Sequence, residues 1–182
     1  METDLHPCRD RVGISPGKQP DPAGIRKIAE EYYRSGQFYC SEAIVKTFNE
    51  ELGLGYPEEI IRLASGFPLG IGGAGCSCGA VTGGVMVIGM VFGRTNPRDP
   101  CVERCLLFSR ELHDRFVNRH GCACCRSLIR GMILKSPEHM QQCVALTGEV
   151  AEETARIIIR ETGIPAETVR YGHDHDRGNG AL

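Results

Sequence analysis

The chain has 182 residues, which against a prior of about 150 residues per domain reads as one domain with ragged ends. At this size about 68–70% of the unfolded surface is buried on folding, so a core forms without disulfide staples. Lysine plus arginine is 21 and aspartate plus glutamate is 23, for a net charge of −2, which argues against a nucleic-acid binder with its basic domain or stripe. Ten cysteines fall below the ~8–10% expected of a short disulfide scaffold, and the polar N-terminus lacks the apolar stretch of a secretory signal. The expectation is a cytoplasmic protein with reduced thiols, where clustered cysteines point to metal binding or redox chemistry.

Residues 1–20 read as a polar tail, 21–165 as a helical cysteine-rich domain, and 166–182 as a second polar tail. Asp21-Pro22 is an N-cap and N1 pair that opens a first helix to Arg34, stopped at Gly36. A second helix spans Cys40 to Leu52 and stops at Gly53, and a third spans Pro57 to Ser65. The glycines of GFPLGIGGAGCSC then forbid regular structure. Gly72, Gly73 and Gly75 could cradle an anion, but with no strand before them they are more simply a tight wrap bringing backbone close to Cys78.

A fourth helix opens near Cys78 and continues to Gly93. Gly83, Gly84 and Gly89 inside it each cost ~1 kcal/mol relative to alanine, so packing must compensate. Its apolar part, Ala80 to Gly93, is shorter than the ~20 residues a membrane span needs, so it reads as a buried helix at the centre of a bundle. A fifth helix runs from Asp99 to Arg119 and ends at His120-Gly121. A short sixth covers Cys124 to Arg130, and Ser136-Pro137 starts a long seventh reaching Thr162. No segment alternates with period two. The fold class is all-α: six or seven helices around a Gly-rich central helix.

Helical phase sorts the cysteines. In the seventh helix Met140, Cys143, Val144, Thr147, Val150, Ala151, Thr154, Ile157 and Ile158 share one face, which places Cys143 toward the core. Cys40 starts the second helix on the stripe of Ala43, Ile44, Thr47 and Phe48; Cys78 begins the fourth helix, and Cys125 lies in the first turn of the sixth. Unpaired N–H groups and the dipole at helix starts favour the thiolate that a ligand or nucleophile requires. The plain alternative is that each is a small buried hydrophobe. That reading is kept for Cys101 and Cys105, which share a stripe with Phe108, Leu112 and Phe116, while Cys8 is an exposed thiol in the tail. Cys76, Cys122 and Cys124 are left as candidate ligands or resolving thiols. Cys122 and Cys125 form a CxxC whose next residue is Arg126 rather than histidine, which removes c-type haem attachment.

The segments GQFYCSEAIVKTF, GIGGAGCSCGAVTGGVMVIGMVFGR, FVNRHGCACCRSLIRG and QQCVALTGEVAE resemble the redox-active C-GCAxxG-C-C family over about Ile25 to Ile159. Its CGAxxG motif corresponds to Cys78-Gly79-Ala80-Val81-Thr82-Gly83, and its other characteristic cysteines to Cys40, Cys125 and Cys143. The resemblance extends to a domain of split-Soret cytochromes, which implies an iron–sulfur cluster and a homodimer.

Three functions follow as expectations. The first is an iron–sulfur redox or electron-transfer protein, with an unidentified redox partner protein, in which Cys40, Cys78, Cys125 and Cys143 bind a [2Fe–2S] or [4Fe–4S] cluster. The second is a structural zinc site in an interaction domain; ligands scattered over four helices suit it less well than paired knuckles would. The third is an oxidoreductase working by thiol–disulfide exchange, with Cys122 or Cys125 attacking. The run His173-Asp174-His175-Asp176 reads as solvated tail rather than as a metal site.

Overall fold

The computed structural model describes residues 21–163. In chain order it contains α1 (Pro22–Arg34), α2 (Cys40–Glu51), a 3-10 segment (Glu58–Ala64), α3 (Gly79–Phe92), α4 (Val102–His120), α5 (Cys125–Leu128) and α6 (Pro137–Thr162). Among the described residues there is no strand beyond one isolated antiparallel bridge, Ser77 with Cys124. The fold is all-α. The tails, with Cys8 and the His173 to Asp176 run, lie outside the described residues.

Local chemistry explains the helix limits. The Asp21 carboxylate accepts the N–H groups of Ala23 and Gly24 at 3.1 and 3.0 Å, and the Ser136 hydroxyl accepts that of His139, each satisfying donors a helix start leaves free. Gly121 and Gly163 close α4 and α6 in the left-handed conformation. Three expectations are corrected. Residues 58–64 form a 3-10 rather than an α-helix, with the buried Ser41 hydroxyl donating to the Ala64 carbonyl at 2.8 Å and pinning its end to α2. Helix α4 starts only at Val102, because Asp99 stays outside as a turn residue and accepts the Cys101 N–H at 3.0 Å. Helix α5 is a single turn.

Helix α3 packs against α2, α4 and α6, and the long α6 also reaches α1 and α2. Phe48, Ile88, Leu112 and Ile157 are among the buried residues of the resulting core. Ion pairs fix antiparallel registers on α6: Arg160 grips both carboxylate oxygens of Glu111 at 2.7 Å, Arg115 meets Glu153, and Arg26 of α1 meets Glu152. Each exposed pair contributes at most about 1 kcal/mol; the apolar faces contribute the rest. Arg104 is buried, with its guanidinium 5.2 Å from the Phe92 ring centroid and a hydrogen bond to the Glu161 carbonyl. No helix among the described residues is long and apolar enough to cross a membrane.

The α3 glycines divide by what they touch. A Cβ at Gly83 would collide with the Ser41 backbone at 2.8 Å, and one at Gly84 with Leu112, Thr154 and Val150 at 2.6–2.9 Å, whereas one at Gly89 would meet no neighbouring element within 4 Å. Packing therefore compensates for the first two, and nothing in the structure explains the third. Gly84→Leu should lower unfolding stability by about 1–3 kcal/mol in a urea titration, because the three neighbours belong to two other helices and cannot yield together; Gly89→Ala should leave it unchanged or slightly raised.

Candidate thiol site

Four elements deliver one cysteine each to the same pocket. Cys40 is the first residue of α2, Cys78 the N-cap of α3, Cys125 the first residue of α5, and Cys143 lies in the second turn of α6. All four line one small cavity of about 20 Å³, together with Tyr33 of α1 and Leu69 of the loop before α3.

The approach of α2 to α3 depends on Gly79. A Cβ there would coincide with the Cys40 Sγ, so the second residue of the motif is the floor on which that sulfur rests. Gly83, one turn on, admits the Ser41 backbone. The spacing of CGAxxG is thus the footprint of the start of α2 on α3. Helix α5, which carries Cys125, is tied in through the backbone. Cys78 N–H donates to Ala123 O at 2.8 Å, Cys125 N–H to Cys76 O at 2.6 Å, and Arg126 N–H to Gly75 O at 3.0 Å. Gly70, at φ +72°, lies so close to Cys125 that its missing Cβ would sit 2.7 Å from the Cys125 Cβ. The glycine loop is a wrap, as read from the sequence, folded over the cysteines.

Electrostatics oppose one sequence expectation. Helix starts favour thiolates, yet burial pushes all four thiols up, that of Cys125 to about 11. Their mutual proximity adds to this: Cys78 and Cys143 raise Cys40, Cys78 raises Cys125, and Cys125 raises Cys143. Desolvation of several kcal/mol per buried ion outweighs the dipole. Donors nevertheless reach three of the sulfurs. Cys40 faces the N–H groups of Ser41 and Leu69, Cys78 those of Val81 and Ala80, and Cys143 the Tyr33 hydroxyl. His139 also meets Cys143, its Nε2 3.6 Å from the sulfur. Because His139 Nδ1 accepts the Lys135 N–H at 3.2 Å, the neutral ring carries its proton on Nε2 and donates it toward Cys143.

The other cysteines separate. Cys76 is exposed and Cys105 is a half-buried core thiol raised by burial. Cys101 is buried and disulfide-bonded, so the expectation of reduced thiols does not hold for it. Cys124, the α5 N-cap, differs in sign: the Ser127 N–H and hydroxyl and the charge of Arg126 hold its thiol below the usual range. Cys124 thus joins Cys122 and Cys125 as a thiol that bears on the exchange alternative.

Tyr33, Leu69 and His139 were not singled out in the sequence. Tyr33 continues the α1 stripe of Ile25 and Ala29, and His139 stands four residues before Cys143 on one α6 face, so periodicity held a signal for both. Leu69 faces Cys40 through a positive φ of 55°, which no residue type announces.

A family model described as "Putative redox-active protein (C_GCAxxG_C_C)" matches residues 38–157. The chain belongs to this family. The match takes in all four pocket cysteines and the Cys78 to Gly83 motif. No curated protein and no solved structure matches the chain.

Among the described residues, no group of three or more Cys, His, Asp or Glu side chains stands ready to hold a metal ion. The donor chemistry nonetheless fits a thiophilic centre: four thiols and a ring of N–H and O–H groups aimed at sulfur. The cavity between them has room for about one water-sized guest, so a multi-iron cluster requires its walls to part. In the metal-free chain at pH 7.5, brief iodoacetamide treatment read by peptide mass spectrometry should modify Cys124 ahead of Cys40, Cys78 and Cys143, since the thiolate is the reacting form. Earlier labelling of Cys78 or Cys143 would show that burial does not protect them.

Proposed function

We propose that this family member is a redox protein in which Cys40, Cys78, Cys125 and Cys143 hold an iron–sulfur cluster and pass electrons to and from a separate partner. The observation that carries the reading is the convergence on one pocket of four thiols from four elements, Cys78 and Cys125 buried and Cys40 and Cys143 partly so, with hydrogen-bond donors directed at three of the sulfurs. As thiolates the four need a cation, because buried charges are stable only when paired or metal-bound.

The cluster, when bound, supplies one-electron chemistry at sulfur-ligated iron. The protein's own residues perform the remaining tasks. Gly79 and Gly83 set the depth of Cys40 against α3. The N–H groups of Ser41, Leu69, Ala80 and Val81 stabilise negative charge on Cys40 and Cys78. Tyr33 and His139 do the same for Cys143, and donors of this kind tune a potential. The apolar walls restrict water.

A single zinc ion is the second reading, supported by the small cavity and by the suitability of four thiolates for that metal. The two separate in one experiment. Protein purified without oxygen should be brown and contain iron and acid-labile sulfide. Cys40→Ser, Cys78→Ser, Cys125→Ser and Cys143→Ser should each lose most of both, since a hydroxyl is a poor ligand for a soft metal. Cys105→Ser should keep its iron while unfolding at lower urea. A colourless protein with stoichiometric zinc would favour the second reading, and full iron content in all four variants would remove the shared site.

A further inference from the structure

Beside the thiol pocket lies a second, much larger cavity of about 680 Å³, within the size range of small-molecule sites. Tyr33, Tyr39 and Leu69 line both cavities, so the two share a wall. His139 lines the larger one and contacts Cys143 of the smaller. A guest in the large cavity would therefore be one side chain away from the sulfurs.

The lining restricts what that guest can be. Tyr33, Phe38, Tyr39 and the His139 ring supply aromatic surface, and Met140 and Leu134 supply aliphatic surface. The polar groups are largely committed elsewhere. Both Glu42 oxygens are used, by Tyr39 N–H at 2.9 Å and the Ser65 hydroxyl at 2.6 Å, and both His139 nitrogens are engaged. Lys135 is exposed at the cavity, and among the described residues no ion pair engages it. Two lining residues, Leu69 and Lys135, have positive φ values of 55° and 65° without being glycine. Such strain is retained where surrounding structure enforces it, and it clusters at ligand sites. Here Leu69 turns its N–H toward Cys40, and Lys135 turns its N–H toward Nδ1 of His139, whose Nε2 meets Cys143.

We propose that this cavity binds a planar, conjugated aromatic molecule carrying an anionic group, its rings between Tyr33, Phe38 and Tyr39 and its charge toward Lys135. Binding does not depend on the iron–sulfur reading; only a part for that molecule in electron exchange would rest on it. The probe is anthraquinone-2-sulfonate, which is flat and anionic, and whose ring fusion on both sides leaves no position for addition of a thiol. Naphthalene-2-sulfonate serves as a probe of the same shape class without redox chemistry.

Isothermal titration calorimetry of the full chain as purified should show saturable, equimolar binding of both probes. Lys135→Glu should weaken binding about fivefold and reduce its salt dependence, as loss and reversal of one rim charge implies. Met140→Trp, which fills the cavity, should weaken it at least tenfold, with circular dichroism and thiol count unchanged. If Met140→Trp fails to fold, Lys135→Glu decides alone. Absence of saturable heat, or wild-type affinity in the folded variants, would overturn the proposal. Iron and sulfide measured on the same samples report on the cluster separately, so a metal-free protein that still binds the probes leaves the cavity assignment standing.

Discussion

The sulfur of Cys40 occupies the space that a side chain at position 79 would need, and this contact sets the distance between α2 and α3. With Gly83 admitting the Ser41 backbone, the two helices meet closely enough for the N-cap of α3 and the first turn of α2 to present their cysteines to one pocket. Helix α6 then covers the pair with Cys143, and the Gly70 to Cys78 loop brings α5 and Cys125 underneath through backbone hydrogen bonds. Any Cβ at position 79 would displace Cys40 and so disturb the site before it disturbed the core. A motif written as one cysteine and two glycines is thereby a statement about two helices, the second of which it never mentions.

Burial and helix dipole compete at these thiols, and their magnitudes decide the outcome. A helix start contributes roughly 0.3–1 kcal/mol to a nearby anion, whereas removing a charge from water costs several. The four thiols are accordingly neutral when alone, each made harder to ionise by the others. A metal cation would reverse that balance, since a coordinating thiol loses its proton outright, and the directed N–H groups would then stabilise the thiolates. Cys124 shows the opposite regime. It is less buried and receives the Ser127 N–H and hydroxyl without the same desolvation, so its thiol falls where the others rise. The molecule thus holds two kinds of cysteine side by side, Cys125 made harder to ionise and Cys124 easier.

Most of the fold was legible because helix limits are written in local chemistry. Asp21-Pro22 and Ser136-Pro137 opened helices where expected, and Gly36, Gly53, Gly121 and Gly163 closed them. Periodicity put Cys143 on the inner stripe of α6 and Cys40 on that of α2. Legibility failed where tertiary contact overrides local preference. The 3-10 geometry of residues 58–64 is linked to α2 through Ser41, twenty-three positions away from Ala64 in sequence. The rise of the thiol pKa values depends on how deeply four separate elements bury them, which helix position alone does not encode. Leu69 and Lys135 adopt conformations unusual for their residue types, which no residue type announces, so the larger cavity had no sequence signature.

The central claim is that the four thiols are ligands to iron. X-ray absorption at the iron edge, on protein purified without oxygen, tests it most directly because it reports the atoms bound to the metal. Stoichiometric iron in an all-sulfur coordination shell with a second shell of iron, collapsing in Cys78→Ser, is the expected result. Zinc in place of iron, an oxygen- or nitrogen-dominated shell, or a metal-free protein with all four thiols titratable after unfolding would contradict it.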